Sequence, residues 1–111
     1  MIEKTLMTYL NEAISAPAYM EFPEDAPPEY VVLTKVGGGM VDLIQSSTIE
    51  FLCVSTSLQK AAELCEQLKT AMDGLTVLPE IARSRYAGDY NATFTASKSY
   101  RYKAVYEITH Y

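Results

Sequence analysis

The sequence has no tryptophan, one histidine (His110), two cysteines (Cys53 and Cys65), and no apolar run of the ~18 residues that a membrane helix needs. A lone histidine beside the C-terminal tyrosine leaves a Ser/His/Asp or Cys/His nucleophilic site to be built at a frayed end. Two cysteines with one histidine cannot supply the four ligands of a structural zinc site. They are also too few for a disulfide scaffold, and each sits among apolar neighbours, where free cysteine behaves as a small hydrophobe; reduced, buried thiols are expected. With no apolar block near its start, the chain reads as soluble and unsecreted, which deprives the Asn91-Ala92-Thr93 sequon of consequence.

Other signals are missing at the places where they would matter. Gly37-Gly38-Gly39 is not followed by Lys-Ser/Thr and no helix begins there, so a hairpin tip is expected instead of a phosphate cradle. Glu21, Glu24, Asp25 and Glu29 lack the EF-hand alternation, and prolines separate them, so they read as a solvated acidic loop instead of a calcium site. No acid, base and nucleophile converge in the pattern, and neither an enzyme nor a cofactor is expected.

What is present describes one ordinary domain. The 111 residues are 49% hydrophobic and 21% charged, a size and composition suited to a single core, and residues 1–111 are read as one domain. The net charge of −5 disfavours a chain that neutralises DNA phosphates or coats an anionic membrane. That charge is uneven. Residues 1–80 carry 12 acids and 4 bases, whereas residues 81–111 carry 2 acids and 5 bases.

Ile2, Leu6, Tyr9, Leu10, Ala13 and Ile14 recur at helical spacing and predict a first helix that ends before Pro17. Ala18 to Phe22 reads as a short strand, followed by the proline-rich acidic loop. Tyr30–Val36 and Met40–Ile44 read as two strands joined at the glycines. Ser47 to Ser55 carries apolar residues on both faces and predicts a central strand covered on two sides at one end. Leu58, Ala61, Ala62, Cys65, Leu68 and Met72 form the stripe of a second helix, with a capping box expected at Thr56 to Gln59 and a left-handed stop at Gly74. Strands are expected from Ile81 to Tyr86 and from Ser99 to Tyr111, with a loop from Gly88 to Ser97 between them. Tyr100, Tyr102 and Tyr106 alternate onto the face beneath the helices. The order implies an α+β fold: a mainly antiparallel sheet with two helices packed on one face.

The chain resembles the tail-terminator, or tail-completion, family of tailed bacteriophages and prophages, including small minor tail and minor capsid proteins of Gram-positive prophages. The resemblance runs from the N-terminal helix through Tyr19-Met20-Glu21-Phe22-Pro23-Glu24, Tyr30-Val31-Val32-Leu33, Gly37-Gly38-Gly39, Ala61-Ala62-Glu63-Leu64 and Asp89-Tyr90-Asn91 to the closing Tyr100–Tyr111. It rests on order and spacing, not on one motif. It implies a structural virion protein, made in the bacterial host cytoplasm and found in the virion tail. Such a protein forms a ring, typically hexameric, on the last disc of the tail tube, stops tube growth and meets the head connector. It implies contact with the major tail-tube protein, and an acidic lumen through which DNA passes without sequence-specific binding. A head-completion protein on the portal side is the alternative structural role; a small cytosolic ligand-binding domain is the alternative from another class.

Rings use heterologous contacts, and opposite charges on two parts of one chain suit such a pairing. Arg83, Arg85, Lys98, Arg101 and Lys103 are therefore expected to approach Glu21, Glu24, Asp25, Glu29 or Asp42 of the next subunit. Gly37, Gly38, Gly39, Gly88 and Asn91 are expected in flexible assembly loops.

Overall fold

The computed structural model describes residues 1–93 and 99–111. Helix α1 (Ile2–Ala13) is followed by a two-residue strand β1 (Ala18–Tyr19), long strands β2 (Tyr30–Val41) and β3 (Ile44–Ser55), and helix α2 (Leu58–Asp73). A 3₁₀ turn (Leu75–Val77) leads into strands β4 (Ile81–Asn91) and β5 (Tyr100–His110). The sheet order is β1-β2-β3-β5-β4; β1 runs parallel to β2, and the other neighbours are antiparallel. Both helices lie on one face, and the fold is α+β.

Each helix forms where its apolar stripe can be buried. Ile2, Leu6 and Leu10 of α1 and Ala61, Leu64, Cys65, Leu68 and Met72 of α2 are covered by the sheet. Ala13 and Leu58, both expected on the stripes, are exposed. Helix α1 stops where Ile14 turns extended, three residues ahead of Pro17. Asn11 then holds the next segment: its Oδ1 accepts from the Ala18 amide at 2.9 Å and its Nδ2 donates to the Ala18 carbonyl at 3.4 Å.

The cap of α2 is Ser57, one residue later than expected, and its Oγ accepts from the Lys60 amide at 3.2 Å. Gln59 does not reach back as a capping box requires; it donates to Glu63. Gly74 is not left-handed either, with φ −93°. Its small size serves a close approach instead. A Cβ there would lie 3.0 Å from the Tyr9 hydroxyl, which donates to the Ala71 carbonyl at 2.6 Å and ties α1 to the end of α2.

Two expectations about the glycines are overturned. Gly37, Gly38 and Gly39 are not a hairpin tip but lie within β2, toward its end, paired with Thr48, Ser47 and Ser46 after a bulge between Lys35 and Gly37. The turn falls at Asp42 and Leu43, both with positive φ (50° and 69°), the combination of a two-residue hairpin that follows the twist of its strands. Gly88 and Asn91 likewise belong to β4, not to a loop. Gly88 sits at a bulge after Tyr86 with φ +142°, where only glycine is comfortable. The strand expected from Ala18 to Phe22 is only two residues long.

The core lies between the helices and Val31, Leu33, Ile49, Phe51, Cys53, Ala104, Tyr106 and Ile108. Tyr106 meets Phe51 edge-on at 5.9 Å between ring centroids, and Tyr86 at 5.7 Å. Burial pushes the Tyr106 hydroxyl up to about 12. Tyr100 and Tyr102 share its face and are half-buried, as the alternation predicts.

Leu43 occupies a backbone region that costs an L-residue roughly 1–2 kcal/mol. Leu43→Gly is expected to stabilise the dilute protein by about 0.5–1 kcal/mol after glycine's greater unfolded-chain entropy is set against that relief. Gly88→Ala is expected to destabilise it by roughly 1–3 kcal/mol. Thermal melts of both variants test the two signs, and a loss of stability in Leu43→Gly would contradict the assignment.

Candidate interaction surfaces

Register divides the side chains between two faces of the sheet. The helix face takes Ser47, Ile49, Phe51 and Cys53 of β3, with Ala104, Tyr106, Ile108 and His110 of β5. Among the described residues, the other face carries no helix. Across it run the pairs Val32–Leu52, Leu52–Lys103 and Lys103–Tyr90, and, further along, Thr48–Glu107 and Glu107–Arg85. At the β1 end, Val32 and Val54 are buried although they point away from the helices. The double covering expected of β3 at one end is therefore present.

That end of the open face holds a groove of about 450 Å³. Val32 and Leu52 line it together with half-exposed Phe22 and Tyr90. Phe22 is placed by an edge-on contact with Tyr30 at 6.5 Å. Thr34, Ala92, the carboxylate of Glu50 and two cations complete the lining. The Arg101 guanidinium lies 5.5 Å from the Phe22 ring centroid, and the Lys103 ammonium lies 6.0 Å from that of Tyr90 and 3.6 Å from a Glu50 oxygen.

At the opposite end, β2 and β3 form an apolar arm. Beyond Leu33 every β2 residue is exposed, and the turn lies past the last β3–β5 pair, Gln45 with His110. Val36, Met40, Val41, Leu43 and Ile44 are each at least 40% exposed, Leu43 most of all at 81%.

Polar groups gather at two further places. Asp89 accepts from the Tyr86 hydroxyl, from Lys69 Nζ at 3.4 Å and from Cys65 Sγ at 3.8 Å. The Tyr86 hydrogen bond, helped by Lys69, holds the Asp89 carboxyl below its usual range. Cys53 and Cys65 are free and buried; a hydrogen bond with Cys65, together with burial, pushes the Cys53 thiol well up. His110 is buried and hydrogen-bonded to Ser47 at 2.8 Å. Among the described residues, no group of three or more His, Cys, Asp or Glu is placed to hold a metal. No helix among them is long and apolar enough to cross a membrane.

The residues singled out by charge are distributed as follows. Glu21, Glu24 and Asp25 are exposed on the loop after β1, while Glu29 accepts from the Ser55 hydroxyl at 3.1 Å. Asp42 is at the tip of the arm. Arg85 pairs with Glu107 of its own chain, Arg101 and Lys103 line the groove, and Arg83 is exposed on β4. Lys98 lies outside the described residues. Reasoning from charge missed the apolar members of both surfaces: Leu43 and Val41 on the arm, Phe22 and Tyr90 in the groove. No protein-family model matches the chain, and no curated protein matches it.

His110 makes one of these sites testable by pH. Burial is the main cause holding its pKa below the ordinary value, and the positive charges of Lys35 and the N-terminus add to it against Glu3 and a backbone bond to Tyr111. A depressed imidazole leaves the unfolded chain binding more protons just below about pH 6.5, so stability falls as pH drops through that range. The melting temperature is expected to decline between about pH 7.5 and 5.5. His110→Gln, whatever its absolute stability, should show a flatter dependence; an unchanged slope would contradict this account.

Proposed function

We propose that this chain is a structural assembly subunit of a tailed bacteriophage or prophage. It forms a ring, hexameric on the family pattern, at the last disc of the tail tube, halts tube growth and offers a surface to the head connector. The observation that carries the reading is the arm. Four apolar residues, Met40, Val41, Leu43 and Ile44, cluster around a turn beyond the core, where they contribute nothing to it. Contiguous exposed apolar surface of this kind marks a place where another protein sits. The sheet's second, aromatic-lined surface lies far from the arm, which is what head-to-tail association around a ring requires.

The resemblance supplies the setting. Its segments map onto structural units here: Tyr30-Val31-Val32-Leu33 opens β2, the three glycines continue that strand, Ala61-Ala62-Glu63-Leu64 lies in α2, and Tyr100–Tyr111 spans β5 and the last residue. The acidic balance suits a lumen that passes DNA without retaining it.

Negative-stain microscopy of the phage produced without this protein tests the role. Tails of uncontrolled length that fail to join heads are expected. Normal, joined tails of fixed length would overturn the proposal. Tails of fixed length that remain separate from heads would instead assign the chain to the portal side of the junction.

A further inference from the structure

We propose that the arm of one copy docks in the open-face groove of the next copy of the same chain. Leu43 and Val41 enter the cleft between Phe22 and Tyr90, and Asp42 meets Arg101 and Lys103. The proposal rests on the reading of the chain as a ring subunit and names the contact that builds the ring.

Three observations point to this occupant. Leu43 is unfavourable twice in the isolated chain: its backbone is left-handed at φ 69°, and its side chain is 81% exposed. Strain and apolar exposure at one residue point to a state in which that side chain is covered. Next, Asp42 is the only charged residue between Lys35 and Glu50, so the tip of the arm brings a single negative charge. The groove lining carries two cations and one carboxylate beside its apolar residues, and because Lys103 engages that carboxylate, Glu50, the balance facing Asp42 is positive. The groove's 450 Å³ is within the ~300–1,000 Å³ of pockets that bury drug-sized ligands, room enough for more than one side chain.

Geometry then selects a second copy over the chain's own groove. Ile44 and Leu52 lie on the same strand, eight residues apart, a separation of up to roughly 26 Å at ~3.3 Å per residue. The arm cannot fold back across that distance without breaking the β2–β3 pairing. Arm and groove are different surfaces, so their union is heterologous, and repetition yields a closed ring or a filament instead of a two-fold dimer. Val41 and Leu43 supply apolar contact, while Asp42 fixes orientation by charge.

Disulfide trapping between copies tests the contact. The double variant Leu43→Cys/Tyr90→Cys, mildly oxidised, is expected to give a ladder of covalent oligomers rising by one subunit, whereas each single variant stops at dimers. Cys53 and Cys65 are buried and stay out of the reaction. In sedimentation, Asp42→Arg is expected to weaken self-association about tenfold, and Asp42→Arg/Arg101→Glu to recover most of it. Leu43→Gly separates docking from folding, because it should raise the melting temperature of the dilute protein while weakening association.

Rings that form in the wild type, yield no ladder from the double variant and ignore Asp42→Arg would overturn the arm contact and leave the ring reading standing. No association of the wild type at any concentration, together with no ladder, would remove both.

Discussion

Strand β3 is hydrogen-bonded on both sides from Gln45 to Val54, to β2 along one edge and to β5 along the other. A strand satisfied in this way has no free backbone groups over that length, so its placement is decided by side chains. Ile49, Phe51 and Cys53 alternate onto the helix face and are fully buried there. A slip of one residue would send all three to the open face and bring Glu50 and Leu52 beneath the helices. The register of β2, and with it the position of the arm, follows from that single alternation. So does the register of β5, which carries Arg101 and Lys103 to the open face because Ala104 and Tyr106 are needed in the core.

The two faces consequently have different characters. Beneath the helices, polar groups are few and mostly paired, Ser47 with His110 and Ser55 with Glu29, while the buried Ser84 hydroxyl on β4 has no partner among the described residues. On the open face, charges and aromatics share the surface, with Lys103 between Glu50 and Tyr90 and Arg101 against Phe22. Ion pairs exposed in this way add little to stability individually. In the proposed contact between copies, their positions across neighbouring strands serve recognition. Within residues 81–111, Arg83, Arg85, Arg101 and Lys103 come from β4 and β5, the two strands that close one side of the sheet.

Some features were legible in the chain because they depend on local periodicity. The apolar spacing of Ile2, Leu6 and Leu10 located α1, and Ala61 through Met72 located α2. The long alternation from Tyr100 onward located β5 with its wet and dry faces. The glycine run misled because three glycines ordinarily mark a break. Here the pairing of Gly37, Gly38 and Gly39 with Thr48, Ser47 and Ser46 supplies the order that their own preferences do not. Asp42-Leu43 was invisible as a turn, since leucine seldom takes a left-handed conformation and nothing local announces that it must. Gly88 misled in the same way, being a bulge within a strand.

Composition and periodicity by themselves determined the α+β class, the two helices and the central position of β3, because burial of apolar residues at a fixed spacing requires no knowledge of distant partners. The chain also carried the charge asymmetry openly. Only the tertiary structure decided which surfaces those residues form. It joined Phe22, which follows β1, to Tyr90 and Arg101 across the sheet, and it moved the hairpin tip from the glycines to Asp42 and Leu43. Both outcomes depend on cross-strand register, a relation between residues far apart in the chain, which no local pattern contains.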